Sequence, residues 1–557
     1  MNDIVKIIPL GGQDEEGKNC YIIEINDDIF VLECGIRDPD KTLPGVDYVI
    51  PRFDYLVENK KRIKGYFLTH GHDDVIGGLT YLYDEAPAPV YGSKISLQML
   101  KMFTTHAQRD PNIYDLREVV PTSTFKVAGR NIHFFHTAHN IAGSSGIAIE
   151  TSLGDIVFTS DYVIENAAVP SYLNDMNALA RIAERPILAL LSESVYASRA
   201  GYTAPLYKLT PQIEEAFKTA PGRIFVSLFS YDLYNVNEVI DLCRANKKKL
   251  VFYDESVKKT IEIMQSCGEI NVPKENFASL DDILRIPDQD TVILMTGFGE
   301  RLFRKVALLA CGENEDRRIR LKPEDTFIMA SMSNDNTEIE YKDAADELYR
   351  SGCHVLIVNK KKFLRMHASE EDLKMMASLL KPKYYIPVKG LYKDLLANAQ
   401  LALSMGINLT HYNVFVPSNG DSVVIDENSG RFIPEGVPHG DIMIDGSGIG
   451  DVSSFVLEDR QKLAQGVLIL SATISKSKHQ LVSKPDIQMK GLLVGKEADM
   501  LSRDLEKILL SAIDECLSAA KPDVEALKQS IFDKCTRLIR RITGQEPMVL
   551  PLIIELD

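Results

Sequence analysis

The stretch of this sequence that points most directly to chemistry is the short run from Thr69 to Asp74. His70, His72 and Asp74 alternate along it, and residues at i, i+2 and i+4 of an extended chain point to one side. Gly71 keeps the backbone compact between the two histidines. Two imidazoles and a carboxylate on a common side suit zinc or manganese. The alternative interpretation is a polar turn between a strand and a helix, in which the aspartates cap the helix.

Two residues further along the chain would complete such a metal site. His139 follows a predicted strand over 132–136, and Asp161 lies at the end of a predicted strand over 155–159. Alone, His139 is typical of an ordinary hydrogen-bonded histidine, and Asp161 is typical of a helix cap. Together with the first group they supply three imidazoles and a carboxylate, with one position left for water. A bound metal lowers the pKa of such a water, and a nearby carboxylate accepts its proton.

The elements around these residues are predicted to form a sheet-rich, layered domain with helices on its outer faces. Tyr66–Thr69 is a short apolar strand that leads directly into His70, and 146–159 is predicted to be a hairpin. Three more strands are predicted near the beginning of the chain: Ile4–Pro9, Cys20–Ile25 and Ile29–Cys34.

From about Tyr207 the pattern becomes a regular alternation of strands and helices, which is typical of a parallel sheet. Helices are predicted near Tyr234–Ala245, after Ser256 and over Glu370–Leu380. The predicted strands of this part are Ile224–Leu228, Lys249–Tyr253, Thr291–Met295, Thr326–Ala330, His354–Val358 and Tyr384–Val388.

The end of the chain is predicted to form a small α+β domain for assembly or packing. Pro438–Gly450 is rich in glycine and turn residues and resembles a linker. Strand Val467–Ile474, two amphipathic helices and strand Met548–Glu555 follow it. The second helix is predicted to bury Leu527, Ile531, Cys535, Leu538 and Ile542.

Length and composition limit the class of protein. A chain of 557 residues predicts two to four domains, and no apolar run has the length of a membrane span. We also predict no signal peptide. The eight cysteines form no Cys-x-x-Cys pair, which favours a reducing, cytoplasmic location over a disulfide framework. The net charge of −16 gives little non-specific attraction to a phosphate backbone, so such a ligand needs locally concentrated positive charge.

The order of the candidate ligands, His-x-His-x-Asp, then a lone histidine, then an aspartate at a strand end, resembles the metal motifs of metallo-β-lactamases. Five further stretches are similar to ribonuclease J, in the β-CASP branch of that superfamily. They are Pro44–Pro51 (PGVDYVIP), His367–Ser369 (HAS), Lys381–Gly390 (KPKYYIPVKG), Gly450–Arg460 (GDVSSFVLEDR) and Glu546–Glu555 (EPMVLPLIIE).

This resemblance covers essentially the whole chain and implies a multidomain protein of mixed α/β and α+β class. It implies an αββα metallo-β-lactamase sandwich, an inserted β-CASP α/β domain and a small C-terminal α+β domain. The sandwich is expected at 1–205 and 356–437, the β-CASP domain at 206–355, the linker at 438–450 and the C-terminal domain at 451–557.

The metal ligands of the family are only partly present. The first metal site keeps all four of its ligands: His70, His72, His139 and Asp161. The second site would use Asp74, Asp161 and two histidines, and the histidine positions hold Val75 and Lys389 instead. The resemblance therefore implies one Zn²⁺ or Mn²⁺ bound tightly per chain, with a second ion weakly bound or absent.

Lys389 allows two interpretations. In the first, its ammonium group lies near Asp74 and Asp161 as a permanent cation in place of the second metal ion. In the second, it is a surface lysine that replaced an unneeded histidine.

Other family positions differ as well. The family's first-motif aspartate corresponds to Glu33, and the acidic residue after the fourth motif corresponds to Glu193. The segment that the family writes FASNVHR resembles Phe229–Asn235 without its histidine and arginine. The family's HxSGH stretch corresponds to Phe363–His367 and keeps only the last histidine.

The resemblance implies an RNA-processing and decay factor that acts in mRNA turnover and rRNA maturation. Its expected activity is a metal-dependent 5′→3′ exoribonuclease, with endoribonuclease activity as an option, weakened by the loss of one metal. The substrate would be single-stranded RNA with a 5′-monophosphate, in a channel between the sandwich and the β-CASP domain. The candidate catalytic residues are Asp74 and His367, and the implied substrate-binding residues are Phe363, Leu364, Arg365, Met366, His367 and Ser369.

A second hypothesis, from a different class, is a largely non-catalytic subunit that stabilises or tunes an active ribonuclease J paralogue. Under either hypothesis the resemblance implies a homodimer or tetramer, and a hetero-complex with that paralogue. A small-molecule metallohydrolase is disfavoured, because the β-CASP and C-terminal stretches resemble those of RNA-processing proteins.

Overall fold

The computed structural model describes residues 2–40, 42–120, 122–164, 172–203, 208–270, 273–333, 337–359, 367–446, 448–449, 454–493 and 496–556. The chain divides into two compact units. The first unit comprises 1–37 and 50–442, and the second comprises 38–49 and 443–557.

The centre of the first unit is a core between two sheets that pack face to face. Ile23 and Phe30 of one sheet and Phe158 and Ile386 of the other belong to a single buried cluster. The first sheet consists, in spatial order, of Gly430–Ile433, Ser422–Ile425, Val5–Gly11, Cys20–Ile25, Asp28–Leu32, Ile63–Phe67, Val90–Gly92 and Leu116–Glu118. The second consists of Tyr384–Val388, Ile187–Glu193, Gly154–Phe158, Ser145–Thr151, Arg130–His136 and Thr124–Val127.

Local sequence explains how the first strands pair. Strands 20–25 and 28–32 are runs of apolar and β-branched residues, and they are antiparallel. The turn between them contains Asn26 at φ 57°, a left-handed conformation that tight hairpin turns need and that asparagine tolerates. The predicted hairpin 146–159 is confirmed as an antiparallel pair with Ile149 opposite Ile156.

Helices cover the outer faces of both sheets. Leu179, Leu373 and Leu401, from three different helices, belong to a second buried cluster that also contains Leu190 of the second sheet. The helix Lys94–His106 packs against the edge strands of the first sheet. The αββα layering that the resemblance implies is therefore confirmed. The helices of the sandwich are Asp54–Glu58, Asp73–Ile76, Leu79–Leu82, Lys94–His106, Met176–Ala183, Glu370–Leu380 and Tyr392–Ser404, with a 3₁₀ turn at Lys60–Arg62.

An α/β domain is inserted between two neighbouring strands of the second sheet, Ile187–Glu193 and Tyr384–Val388. Its strands pair in parallel throughout, as the alternating pattern predicts. In spatial order they are Phe277–Ala278, Lys249–Phe252, Thr291–Gly297, Ile224–Phe229, Thr326–Met329 and His354–Ile357. Its helices are Thr210–Thr219, Leu233–Ala245, Glu255–Ser266, Gly299–Ala310 and Glu338–Ser351, with 3₁₀ turns at Lys274–Asn276, Leu280–Arg285 and Asp288–Asp290.

The second unit has its own core between a sheet and two long helices. In the second helix, Ile542 is 49% exposed, so its predicted burial is wrong, and Ile539 faces the core instead. The buried residues of this helix recur every three to four positions. The last of them are Leu538 and Ile539, and Ile542 lies one turn beyond the buried part. The helices are Ser454–Ala464, Lys496–Leu517 and Val524–Thr543, and the strands are Gln480–Leu481, Val467–Ser475, Asp486–Lys490 and Met548–Glu555.

The stretch 438–450, predicted to be a linker, contains strands Asp441–Asp445 and Gly448–Ile449, which pair with each other. The division between the two units passes through the first of these strands and through strand Tyr48–Pro51. The domain limits derived from the sequence stay predictions.

The helices and the cysteines of the described residues bear on the class of protein. None of the described helices combines the length and apolar character that crossing a membrane requires. The eight cysteines are all free thiols, and five of them are buried.

Inside the inserted domain, one buried ion pair ties the start of a strand to the loop before its neighbour. Arg223 and Asp325 are both buried, and Nη2 of Arg223 lies 2.5 Å from Oδ2 of Asp325. Asp325 also accepts hydrogen bonds from the backbone N–H groups of Arg223 and Lys322. Its carboxylate therefore satisfies a charge and two backbone donors at once.

We predict that Asp325→Ala lowers the free energy of unfolding by about 3–5 kcal/mol, because it leaves a guanidinium buried without its partner. The measurement is a urea unfolding curve of the full chain. Asp288→Ala is the matched control: it removes the exposed ion pair with Lys322 and should cost less than about 1 kcal/mol. Equal effects of the two substitutions would contradict the prediction.

Candidate metal centre

The candidate site lies where several strands of the sandwich end. Strands 154–158, 187–193 and 384–388 run parallel to each other, so their carboxyl ends meet at one edge. Asp161 follows the first of them, Glu193 ends the second and Lys389 follows the third. From the facing sheet, Glu33 follows strand 28–32 and His70 follows strand 63–67.

Three of the residues at these strand ends have a left-handed backbone without being glycine. Glu33, Ser160 and Lys389 have φ of 60°, 54° and 58°. Such a conformation costs on the order of 1–3 kcal/mol per residue and persists only where the surroundings fix it. Each turn redirects the chain directly after a strand, so that the side chain at the strand end enters the space between the two sheets.

Three imidazoles converge at this edge. Nε2 of His70 lies 3.0 Å from Nδ1 of His72, and Nε2 of His139 lies 3.4 Å from the same atom. Oδ2 of Asp161 lies 3.5 Å from Nε2 of His70. A tetrahedral zinc ion with bonds of about 2.0–2.1 Å to nitrogen keeps its ligand atoms about 3.3–3.4 Å apart. The three imidazoles therefore fit one metal ion, and Asp161 lies next to the first of them.

Hydrogen bonds to the opposite ring nitrogens orient the imidazoles. Nδ1 of His70 lies 2.9 Å from Oγ1 of Thr69, and that hydroxyl donates to Glu33 at 2.6 Å. Nε2 of His72 lies 3.2 Å from the carbonyl oxygen of Tyr231, a residue of the inserted domain. These contacts place a proton on the outer nitrogen of each ring and leave the lone pair of the other for a metal.

The pKa values of these imidazoles favour the neutral form. Burial lowers the pKa of His70 well below its ordinary value, and neighbouring His72 and His139 lower it further. Burial also lowers the pKa of His72 to about 4. Because metal binding requires neutral imidazole, the cluster is prepared for an ion at neutral pH.

The pKa of His367 is shifted in the opposite direction. Burial alone would lower its pKa, but the carboxylates of Glu193 and Asp161 raise the pKa above its ordinary value. Nδ1 of His367 lies 2.8 Å from Oε2 of Glu193 and 3.7 Å from Oδ1 of Asp161. Oε1 of Glu193 accepts the backbone N–H groups of Tyr162 and Ala368. His367 is thus held in place at the edge of the metal cluster by a carboxylate that favours its protonated form.

Lys389 is buried at the centre of the site, with a side chain only 3% exposed, so it is not a surface lysine. Nζ lies 2.8 Å from Oδ2 of Asp161 and 2.9 Å from Oε2 of Glu33. Burial alone would lower the pKa of Lys389, but these two carboxylates raise it above its ordinary value. In return, the Lys389 ammonium and His367 hold the pKa of Asp161 well below its usual range, although burial opposes them.

Asp74 lies near the metal cluster but is not one of its closest members. Its Oδ2 accepts a hydrogen bond of 2.9 Å from Nδ2 of Asn19. Burial raises the pKa of Asp74 to about 7, against the opposing effect of Lys389. Among the described residues, the groups of ligand atoms that lie within 4.8 Å of one another are His70, His72 and His139, and Asp161, Glu193 and His367.

The remaining predicted positions fall in three classes. Val75 is fully buried among apolar side chains and offers no ligand atom. Ser369 is also fully buried: it caps the helix Glu370–Leu380 and its hydroxyl contacts Thr203, which supports a role in holding the chain next to His367. Phe363, Leu364, Arg365 and Met366 lie outside the described residues.

Several residues of the site have no assigned role in the sequence-based prediction. Glu33 and Glu193 stand out only by comparison with the family, because isolated glutamates at strand ends carry no spacing signal. Ser160, whose hydroxyl donates to Glu33 at 2.7 Å, and Tyr231, whose backbone carbonyl contacts His72, have no sequence signal for these contacts.

Comparison with known protein families identifies three segments. Residues 14–253 match the "Metallo-beta-lactamase superfamily", residues 221–339 match "Ribonuclease J, beta-CASP domain" and residues 455–556 match "Ribonuclease J C-terminal domain". The second match lies in the inserted α/β domain and the third in the second unit, and the first covers part of the sandwich and continues into the inserted domain.

Full-length relatives support the same assignment. The chain is 33% identical to Ribonuclease J2 of Bacillus subtilis over 99% of this chain and 98% of the relative. It is 31% identical to Ribonuclease J 2 of Staphylococcus epidermidis and of Staphylococcus aureus, over 100% of this chain and 99% of each relative.

Among solved structures, a protein of unknown function from Enterococcus faecalis shares the fold. Its TM-score is 0.50 at 13% identity, and the match covers 76% of this chain and 100% of that one. The family matches, the full-length relatives and the three-part architecture agree, and this chain therefore belongs to the ribonuclease J family.

Proposed function

We propose that this chain is a metal-dependent 5′→3′ exoribonuclease of low activity that acts on single-stranded RNA with a 5′-monophosphate. Endonucleolytic cleavage is its second mode, and mRNA turnover and rRNA maturation are the processes it serves. The observation that carries the proposal is the pairing of one complete ligand cluster with a buried lysine. His70, His72 and His139 are at ligand spacing, and Lys389 contacts Asp161 and Glu33.

The ligand cluster supports one Zn²⁺ or Mn²⁺ per chain. His70, His72, His139 and Asp161 would hold the ion, which supplies Lewis acidity when bound. The contacts from Thr69 and Tyr231 hold the first two rings in the matching tautomer.

His367 and Asp74 supply the proton chemistry in this proposal. Because Glu193 binds Nδ1 of His367, the Nε2–H group is the donor for a phosphate oxygen of the strand. The positive charge on His367 stabilises the negative charge that develops on the phosphate during hydrolysis. Asp74, with a pKa raised to about 7, is the group suited to accept a proton at neutral pH.

Lys389 takes the position of the second metal ion in this proposal. Its ammonium pairs with Asp161 and Glu33 without any metal, and it offers no coordination site. A two-metal centre stabilises both the attacking and the leaving oxygens, and a lysine reproduces only the charge. Low activity follows from this difference.

The same contacts favour a second candidate function, a largely non-catalytic subunit that stabilises or tunes an active ribonuclease J paralogue. Lys389 pairs with Asp161, which the second metal ion would need, and Val75 is buried in the core. A homodimer or tetramer, and a hetero-complex with the paralogue, are part of this proposal.

The metal content tests the role of Lys389. We expect elemental analysis of the purified protein to find one zinc or manganese ion per chain, because Lys389 already pairs with Asp161, a carboxylate that the second ion would need. Two tightly bound ions per chain would exclude the role of Lys389 as a substitute cation.

The variant Lys389→Met tests the ion pairs of Lys389 through the free energy of unfolding. We expect it to lower the free energy of unfolding by about 3–5 kcal/mol, because two buried carboxylates lose their cation. Lys393→Met removes an exposed lysine nearby in the chain and is the matched control, with an expected change below about 0.5 kcal/mol. Urea unfolding of both variants provides the measurement, and equal midpoints would argue against the ion pairs.

The double variant His70→Ala/His72→Ala separates the two candidate functions. If the chain is an enzyme, degradation of 5′-monophosphorylated RNA with Mn²⁺ should fall by at least about 100-fold, since the ion loses two ligands. The control removes two exposed histidines, His354 and His411, and should keep full activity.

The same experiment is repeated in the presence of the paralogue, because activity can depend on assembly. If neither the natural chain nor the double variant degrades RNA, and both raise the thermal stability of the paralogue equally, the chain acts as a subunit.

A further inference from the structure

Two stacked aromatic rings and a third ring beside them, together called the stack, lie at one edge of the inserted domain. The rings of Phe229 and Tyr231 are stacked, with centroids 5.2 Å apart and an interplanar angle of 10°. The ring of Phe298 lies 6.3 Å from that of Tyr231. Tyr231 is 40% exposed and Phe298 is 41% exposed, so the stack presents aromatic surface to solvent.

The topology places this stack where parallel sheets bind ligands. Phe229 ends strand 224–229, and Phe298 follows strand 291–297, its parallel neighbour. The helix after the first strand packs against helix Thr210–Thr219, and the helix after the second packs against helix Glu338–Ser351. Ligands of parallel sheets commonly bind at the carboxyl edge, between neighbouring strands whose connections leave in different directions.

The stack also adjoins the candidate metal centre. The ring of Tyr231 lies 6.0 Å from the ring of His72 in an edge-on arrangement, and its backbone carbonyl contacts Nε2 of His72. A ligand that covered the exposed part of the Tyr231 ring would thus lie beside the imidazole cluster. Because the contact with His72 uses the backbone, the side chain of Tyr231 can be changed without removing that contact.

We propose that Tyr231, supported by Phe229 and Phe298, is a stacking site for one unpaired nucleobase of an RNA strand whose backbone lies at the metal centre. The inference rests on the proposed function in that RNA is the ligand. A net charge of −16 weakens general attraction to phosphates, so sequence-tolerant stacking gains importance in holding the strand. Stacking of one base on an aromatic ring strengthens binding about 5- to 150-fold.

Abasic RNA tests the proposal directly. Fluorescence anisotropy measures the affinity of the metal-loaded protein for labelled, 5′-monophosphorylated RNA with phosphorothioate linkages, which slow hydrolysis. In a set of strands, each lacks the base at one position near the 5′ end. For the natural protein we expect one such strand to bind 5- to 150-fold more weakly than the intact strand.

The Tyr231 variants complete a double-mutant cycle. Tyr231→Ala should weaken binding of the intact strand by the same factor and should remove the penalty for the missing base. Tyr231→Phe retains an aromatic ring and should behave like the natural protein. A purely structural role for Tyr231 would weaken binding of intact and abasic strands equally, and that result would overturn the proposal.

Fluorescence provides a second test, because the chain contains no tryptophan. Tyr231→Trp introduces a single probe whose emission should change when a base stacks on it. Tyr412→Trp, at a position that is 88% exposed, is the control and should not respond. Unchanged emission of the first variant at RNA concentrations that saturate the anisotropy signal would overturn the stacking site.

The binding measurements distinguish an error in the proposed function from an error in the stacking site. If no strand binds the natural protein or its variants, both the proposed function and the stacking site are wrong. If strands bind but Tyr231→Ala affects intact and abasic RNA alike, only the stacking site is wrong.

Discussion

The interaction on which the candidate site depends is the ion pairing of a buried lysine with two buried carboxylates. Asp161 and Glu33 come from facing sheets, and Lys389 lies between them with Nζ within 3 Å of both. Carboxylates removed from water are costly unless a cation compensates them. Lys389 supplies that cation permanently, and it thereby keeps Asp161 ionised beside His70, where a metal ligand needs to be.

Around this ion pair, burial lowers the pKa of some histidines, and neighbouring carboxylates raise the pKa of another. His70 and His72 are buried against each other and stay neutral, as ligands must. His367 is held by Glu193, whose carboxylate raises the pKa of the imidazole and favours its protonated form. One site therefore contains neutral donors for a cation next to a positive donor for an anion. This arrangement suits a phosphodiester at a single metal ion, and it equally suits a fold that binds RNA without cutting it.

The sequence allows the ligand cluster to be predicted because its spacing reflects strand geometry. His70 and His72 alternate along an extended segment, and most predicted strands match the observed ones within a residue or two. The ion pair of Lys389 with Glu33 could not be predicted, because it joins residues 356 positions apart through left-handed turns that no local pattern signals. Asp74, predicted to share a side with the histidines, lies in the first turn of helix Asp73–Ile76 and accepts a hydrogen bond from Asn19. The predicted burial of Ile542 is wrong, because helical periodicity indicates which face of a helix is buried but not at which residue the helix extends beyond the core.

The position of the inserted domain explains why the site combines residues from both domains. The insertion begins after strand 187–193 and returns before strand 384–388, so Glu193 and Lys389 lie at the ends of two adjacent strands on either side of it. Tyr231, inside the insertion, contacts His72 through its backbone carbonyl. Because this contact fixes the tautomer of a candidate ligand, moving the inserted domain away would free the proton on Nε2 to exchange positions on the ring. The geometry of the metal cluster and the aromatic surface beside it are therefore coupled through one residue.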